Sequence, residues 1–100
     1  MVVDIHTHIL PKQIPDLEEK FGYGGWISLD HNRDGTANMM KNGKHFRVVD
    51  CNCWDPIARL EDCQDSGVDL QVLSTIPVMF SYWAEPQHTH KLSRILNDDI

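Results

Sequence analysis

Two short apolar runs, separated by a helix signal, limit the folds that are open to this chain. The runs span residues 2–5 and 68–76, and both are rich in the β-branched residues of buried strands. An Asp-Pro pair at residues 55–56 is typical of a helix start, and a Glu-Pro pair at residues 85–86 predicts a second helix. Strands that alternate with helices predict a parallel sheet covered by helices, in a TIM barrel or in an open doubly wound sheet.

The segment between the first strand and the first helix predicts a β-hairpin and two shorter elements. Asn42-Gly43 suits the positive φ angles of a type I′ turn, so residues 36–49 are expected to form two antiparallel arms. A short helix is expected over residues 15–21 and a short strand over residues 26–29. No glycine-rich phosphate loop follows either apolar run, which weakens the dinucleotide-binding form of an open sheet.

The composition is that of an ordinary globular protein and argues against several classes of partner. Of the 100 residues, 41% are hydrophobic and 24% are charged, and the net charge is −6. Nucleic acids and anionic membrane surfaces both require clustered Lys and Arg, which this chain lacks. There is no secretory signal and no apolar stretch long enough to span a bilayer. Three cysteines, an odd number, argue against a disulfide framework and for a cytoplasmic location in the cytosol.

The His6-Thr7-His8 motif carries the clearest chemical signal. Alternate side chains of a strand share a face, with α-carbons roughly 6–7 Å apart, so both imidazoles can reach one metal ion. Most isolated His-x-His motifs bind no metal, but this one lies at the carboxyl end of a buried strand, where barrel enzymes place their active sites. Asp4 is expected on the same strand face, where its carboxylate could orient a ligand.

The other histidines and the cysteines give weaker signals. His88 and His90 lie two residues apart on a predicted helix, so they point in different directions and are expected at the solvated surface. His31 and His45 lack partners at a useful spacing. The three cysteines lack the second pair that a structural zinc site needs, so they are interpreted as unliganded.

Arg47 lies in an apolar stretch of the second hairpin arm. One interpretation is a structural salt bridge, and the other is a guanidinium that grips a substrate carboxylate above the metal in a bidentate pair. In a regular two-residue hairpin Lys41 would face away from Arg47, so only one of them is expected in a common pocket. Trp54 and the loop of residues 78–83 are candidate walls of an active-site mouth or, alternatively, core packing.

Five stretches of sequence make the chain resemble one family of decarboxylases. They are residues 4–11, 21–26, 46–49, 52–56 and 73–83. In these stretches the chain resembles the N-terminal part of the 2-amino-3-carboxymuconate-6-semialdehyde decarboxylase family, which belongs to the amidohydrolase superfamily. The His-x-His motif alone fits the whole superfamily, whereas the glycine and aromatic motifs in this order are more specific.

The resemblance implies an α/β fold, the N-terminal portion of a metal-dependent (β/α)8 TIM barrel with a β-hairpin inserted after strand 1. Residues 1–100 would then be one incomplete barrel domain, with no second domain. The resemblance also implies that His6 and His8 are Zn2+ ligands and that Arg47 binds a substrate carboxylate. The other ligands and the acid–base residue are expected beyond Ile100, so no catalytic residue is assigned within this segment, and alone it is expected to be inactive.

The activity that the resemblance implies is a zinc-dependent, non-oxidative decarboxylation. The substrate would be the small carboxylate 2-amino-3-carboxymuconate 6-semialdehyde, and the reaction would limit quinolinate formation in tryptophan catabolism by the kynurenine route. Members of the family are homodimers, so a homodimer is expected of the full-length protein.

Two alternatives stay open at this point. The first is another metal-dependent hydrolase or decarboxylase of the same superfamily, which would share His6 and His8 but would not need Arg47. The second is a truncated, non-catalytic isoform that at most sequesters a partner subunit. The sequence stops within a helical pattern, without a glycine cap or a final strand, which favours a fragment or a truncated product.

Overall fold

Two separate sheets and three helices make up the chain. The computed structural model describes all of residues 1–100. The strands are β1 (Val3–Ile9), β2 (Ile27–His31), β3 (Ala37–Lys41), β4 (Lys44–Val49) and β5 (Leu70–Thr75). The helices are α1 (Leu17–Phe21), α2 (Pro56–Ser66) and α3 (Pro86–Asp99), with short 3-10 turns at Cys51–Cys53 and Pro77–Met79. No helix is both long enough and apolar enough to cross a membrane.

The strands β1 and β5 form a parallel two-stranded sheet, and α2 lies in the connection between them. Asp55 caps α2 because its side chain accepts a hydrogen bond of 2.9 Å from the amide of Ile57, and Pro56 opens the first turn. Gly67 ends the helix with a φ of 77°, a left-handed conformation that glycine adopts at little cost. The predicted helix, the parallel pairing and the α/β fold class are confirmed.

The strands β2, β3 and β4 form a second sheet, which is antiparallel. Asn42 and Gly43 join β3 to β4 with φ angles of 52° and 71°, and the turn predicted at these residues is confirmed. The short strand predicted over residues 26–29 corresponds to β2, which runs on to His31 and pairs along the whole of β3. The two predicted arms are therefore part of a three-stranded sheet.

The buried core draws on the antiparallel sheet, α1, α3 and the loops between them. Its members are Leu10, Leu17, Trp26, Ile27, Ala37, Met39, Val49, Trp54, Met79, Leu92 and Leu96. By contrast, β1, β5 and α2 leave large apolar side chains in water: Ile5 is 78% exposed, Val72 52% and Leu60 65%. The packing of this chain is thus concentrated on one of its two sheets.

An aromatic cluster joins the loop after α1 to the start of α3. The hydroxyl of Tyr23 accepts a hydrogen bond of 3.2 Å from the amide of Glu85, and its oxygen is hydrogen-bonded to Nδ1 of His88, 2.7 Å away. The His88 ring also stacks on Phe21, with centroids 4.4 Å apart. The prediction that His88 is a solvated surface residue is wrong, because the aromatic loop folds over it.

Replacing Gly25 with alanine is expected to destabilise the protein more than the same substitution at Gly35. Gly25 has a φ of 96°, and a Cβ atom there would lie 2.9 Å from Cη2 of Trp83. Gly35 is the matched control, because its φ is 87° but a Cβ atom would meet nothing within 4 Å. Both substitutions should cost about 1 kcal/mol in backbone strain. Gly25→Ala should cost about 1–2 kcal/mol more, because Trp83 must move.

The measurement is the free energy of unfolding in urea for each variant of the full-length gene product, with tryptophan fluorescence as a second readout. Trp83 packs against Trp26 with ring centroids 4.8 Å apart, so its displacement should change the emission spectrum only in Gly25→Ala. Equal losses of stability in the two variants, with unchanged emission, would show that the contact with Trp83 contributes nothing.

Candidate functional site

The two histidines of the motif lie side by side near the carboxyl end of β1. Their ring centroids are 5.2 Å apart and their planes are nearly perpendicular, at 89°. Two imidazoles on one tetrahedral zinc ion, with Zn–N distances of about 2.0–2.1 Å, have ring centroids roughly 5 Å apart. The distance between the His6 and His8 rings therefore matches that of two imidazoles on a shared ion.

These hundred residues contain a candidate pair of ligands rather than a complete coordination shell. No group of three or more His, Cys, Asp or Glu side chains is arranged to hold a metal ion. Protein zinc sites use three or four such ligands. The donor set of His6 and His8 thus suits a divalent metal of zinc type, and the rest of the coordination must come from other groups.

Asp4 does not share the face of the histidine pair. The register between β1 and β5 shifts between Asp4 and Thr7, so that His8 lies opposite Ser74 while Asp4 lies opposite Gln71. Residues 71 and 74 are on opposite faces of β5, because side chains alternate along a strand. The predicted placement of Asp4 is wrong because a β-bulge interrupts the alternation. Its carboxylate accepts a hydrogen bond of 3.1 Å from the backbone amide of His6.

A second bulge, in β4, decides where Arg47 lies. Met39 of β3 pairs with Arg47. The next residue of β3, Met40, pairs with His45, so Phe46 is left over in β4. The guanidinium of Arg47 is solvent-exposed and lies 5.9 Å from the centroid of the Phe46 ring.

The same bulge places Lys41 and Arg47 on one face of the antiparallel sheet. Lys41 and Met39 are alternate residues of β3 and share a face, and Arg47 takes the face of its partner Met39. The prediction that Lys41 faces away from Arg47 is wrong. It assumed a regular hairpin, and one extra residue in β4 moves every later side chain to the other face.

His8 and Arg47 line one cavity of about 330 Å³. The rest of its wall is apolar and comes from β3, β4 and the segment after β5: Met39, Phe46, Ile76, Pro77 and Val78. Arg47 itself is solvent-exposed, so its guanidinium is accessible to a ligand that enters this cavity. This arrangement can hold a small anionic ligand between the cation and the imidazole.

The aromatic candidates for the site mouth lie elsewhere. Trp54 is buried and meets His31 edge-on, with ring centroids 4.9 Å apart, so it is a core residue. Within residues 78–83, only Val78 belongs to the cavity wall, and Trp83 packs into the aromatic cluster with Trp26. Of the two interpretations of Trp54, a wall of the active-site mouth or core packing, the structure supports core packing.

The three cysteines are free thiols. Burial raises the pKa of the Cys53 thiol, an effect that the positive charge of Arg59 partly offsets. A raised pKa keeps Cys53 protonated at neutral pH, whereas metal ligation and nucleophilic attack require the thiolate. Cys53 is therefore a poor candidate for either role.

Ser74 contacts His8, and no role was predicted for it from the sequence. Its Oγ lies 3.1 Å from Nδ1 of His8 and donates a hydrogen bond of 3.1 Å to the carbonyl oxygen of Thr7. Ser74 lies in the stretch of residues 73–83 that resembles the decarboxylase family, but it is 66 residues away from His8. Only the parallel pairing of β5 with β1 brings it to the site.

The known proteins that are similar to this chain all carry the same name. No protein-family model matches the chain. The chain is 57% identical over 98 residues to a 2-amino-3-carboxymuconate-6-semialdehyde decarboxylase of Dictyostelium discoideum, covering 98% of this chain and 27% of that protein. It is 54% identical over 98 residues to a protein of the same name from Caenorhabditis elegans, covering 98% of this chain and 24% of that protein. A relative of that name from Sus scrofa is 59% identical over 49 residues, covering 49% of this chain and 36% of that protein.

The chain is thus homologous to the N-terminal part of a group of decarboxylases, and it spans about a quarter of the length of the first two relatives. The family is that of 2-amino-3-carboxymuconate-6-semialdehyde decarboxylase. The resemblance predicted from the five sequence stretches is confirmed.

Proposed function

We propose that the full-length gene product is a zinc-dependent decarboxylase of 2-amino-3-carboxymuconate 6-semialdehyde. In this proposal His6 and His8 are two of the metal ligands and Arg47 binds a substrate carboxylate. The observation that carries it is the cavity that His8 and Arg47 line together, because it joins a candidate ligand to a candidate anion-binding group. The names of the relatives supply the substrate and the reaction.

The chemistry requires the substrate to be held while one carbon–carbon bond breaks. A divalent metal, when bound, supplies charge that stabilises the electron density left by the departing carbon dioxide. Arg47 would grip a substrate carboxylate with two parallel hydrogen bonds, which fixes its orientation as well as its position.

We also propose that β1, α2 and β5 begin a (β/α)8 barrel, with the antiparallel sheet inserted after the first strand. Two observations support this. The parallel β1–α2–β5 unit is the repeating unit of such barrels, and the histidine pair lies at the carboxyl end of its first strand. Large apolar side chains on this unit, such as Val72 and Leu60, are exposed and would be covered by further strands and helices. Residues 1–100 would then be the first part of one domain.

The experiment is a decarboxylation assay of the purified full-length gene product on 2-amino-3-carboxymuconate 6-semialdehyde, before and after removal of metal by a chelator. We expect carbon dioxide release that is lost on chelation and restored by zinc. A parallel assay with aromatic carboxylic acids separates this activity from that of other superfamily decarboxylases. Carbon dioxide release that survives complete chelation would contradict the proposal. The homodimer and the cytosolic location implied by the family stay predictions.

A further inference from the structure

The polar contact between Ser74 and His8 arises from the register of the parallel sheet. The two residues lie directly opposite each other, so their side chains emerge on the same face. On that face of β5, Ser74 follows Leu70 and Val72, which are both apolar. A single hydroxyl thus ends an otherwise apolar row at the point where the strand reaches the histidine pair.

The protons in this contact can be assigned from its two distances. Ser74 Oγ carries one hydrogen, and a carbonyl oxygen can only accept, so the bond of 3.1 Å to Thr7 uses that hydrogen. The oxygen therefore presents a lone pair to Nδ1 of His8, also at 3.1 Å. Nδ1 must then carry the ring proton and donate it. A neutral imidazole has one ring proton, so Nε2 is left with a free lone pair.

We propose that Ser74 is a positioning residue for the metal centre, because its hydroxyl fixes His8 in the tautomer and ring orientation that leave Nε2 free to bind the ion. This proposal rests on the proposed function, in that His8 is taken to be a metal ligand. Metal-bound histidines commonly donate their other ring N–H to a neighbouring acceptor, which holds the ring and makes the ligand more basic. Here a serine hydroxyl, itself held by the backbone of the ligand strand, is that acceptor.

The test compares Ser74→Ala with Ser74→Thr in the full-length gene product. Threonine keeps the hydroxyl and suits a strand, whereas alanine removes the acceptor. Ser66→Ala is the control for the loss of a hydroxyl, since Ser66 Oγ bonds to the carbonyl of Asp62 within α2, away from the site. The first readout is the tautomer of His8 in the metal-free protein, from long-range 1H–15N correlation spectra, with the signal assigned by its loss in His8→Ala. The second readout is the zinc affinity, from competition with a chelator.

We expect the Nδ1–H tautomer in the wild type, in Ser74→Thr and in Ser66→Ala. In Ser74→Ala we expect a shift towards the Nε2–H tautomer and a zinc affinity about 10–100-fold weaker. The Nε2–H tautomer in the wild-type protein would overturn the proposal without reference to any variant. So would an unchanged tautomer and unchanged zinc affinity in Ser74→Ala.

Failure of this proposal can be told apart from failure of the proposed function. If His8→Ala loses zinc while Ser74→Ala binds it as the wild type does, His8 is a ligand but Ser74 does not position it. If His8→Ala binds zinc as tightly as the wild type, His8 is not a metal ligand. The role proposed for Ser74 is then wrong as well.

Discussion

Replacing His8 with alanine in the full-length gene product is expected to remove bound zinc and to lower kcat by about 10³-fold or more. His8 belongs both to the histidine pair and to the wall of the cavity with Arg47, so its loss should affect metal binding and catalysis together. A bound metal supplies several kcal/mol of transition-state stabilisation, and each 1.36 kcal/mol corresponds to a factor of about ten in rate. The same result is expected for His6→Ala, because the distance between the two rings fits a shared zinc ion.

The measurements are the zinc content of the purified protein and kcat with zinc in excess. His90→Ala is the matched control, since His90 is an exposed histidine on α3 and should leave both quantities unchanged. If excess zinc restores full activity to His8→Ala, the residue contributes only to affinity. Wild-type zinc content in His8→Ala would contradict its assignment as a ligand.

Replacing Arg47 with alanine is expected to lower kcat/KM by about 10²-fold or more. Hydrogen bonds to charged groups contribute about 1.5–3 kcal/mol each, and a guanidinium can make two to one carboxylate. Arg47→Lys keeps the charge but loses the planar fork, so it should fall between Arg47→Ala and the wild type. Most of the loss should appear as a raised KM, because the carboxylate is held before and during the reaction.

Steady-state kinetics on the muconate semialdehyde provide the check for Arg47. Arg33→Ala is the matched control, because Arg33 is an exposed arginine in the loop between β2 and β3. If KM and kcat are unchanged in Arg47→Ala, the guanidinium does not hold the substrate. A different metal-dependent member of the superfamily, one that shares the histidine pair but needs no such arginine, would then be the better interpretation.

The elements that the sequence predicted well are those set by local chemistry. Asp55 and Pro56 start α2 because a side-chain acceptor and a fixed φ act within one helical turn. Asn42 and Gly43 form the hairpin turn because both tolerate positive φ. The type of the element and its boundary residues are then fixed by neighbours in the chain.

The faces of the strands were predicted less well, and the reason is the same in both sheets. The alternation rule placed Asp4 beside the histidines and Lys41 away from Arg47, and the structure reverses both placements. Each reversal follows from one extra residue in a strand, which shifts all later side chains to the other face. Nothing in the local sequence marks either bulge, because each bulge depends on how a strand pairs with its neighbour in the sheet.

The amino-acid sequence is enough to predict that His6 and His8 share one face of β1, because they are alternate residues of a single strand. The groups that surround the two histidines depend on contacts between distant segments of the chain. Arg47 shares a cavity with His8 because of the bulge in β4 and the packing of the segment after β5, and Ser74 reaches Nδ1 through parallel pairing across 66 residues. Such contacts join distant segments through core packing and strand register, which short-range sequence patterns do not encode.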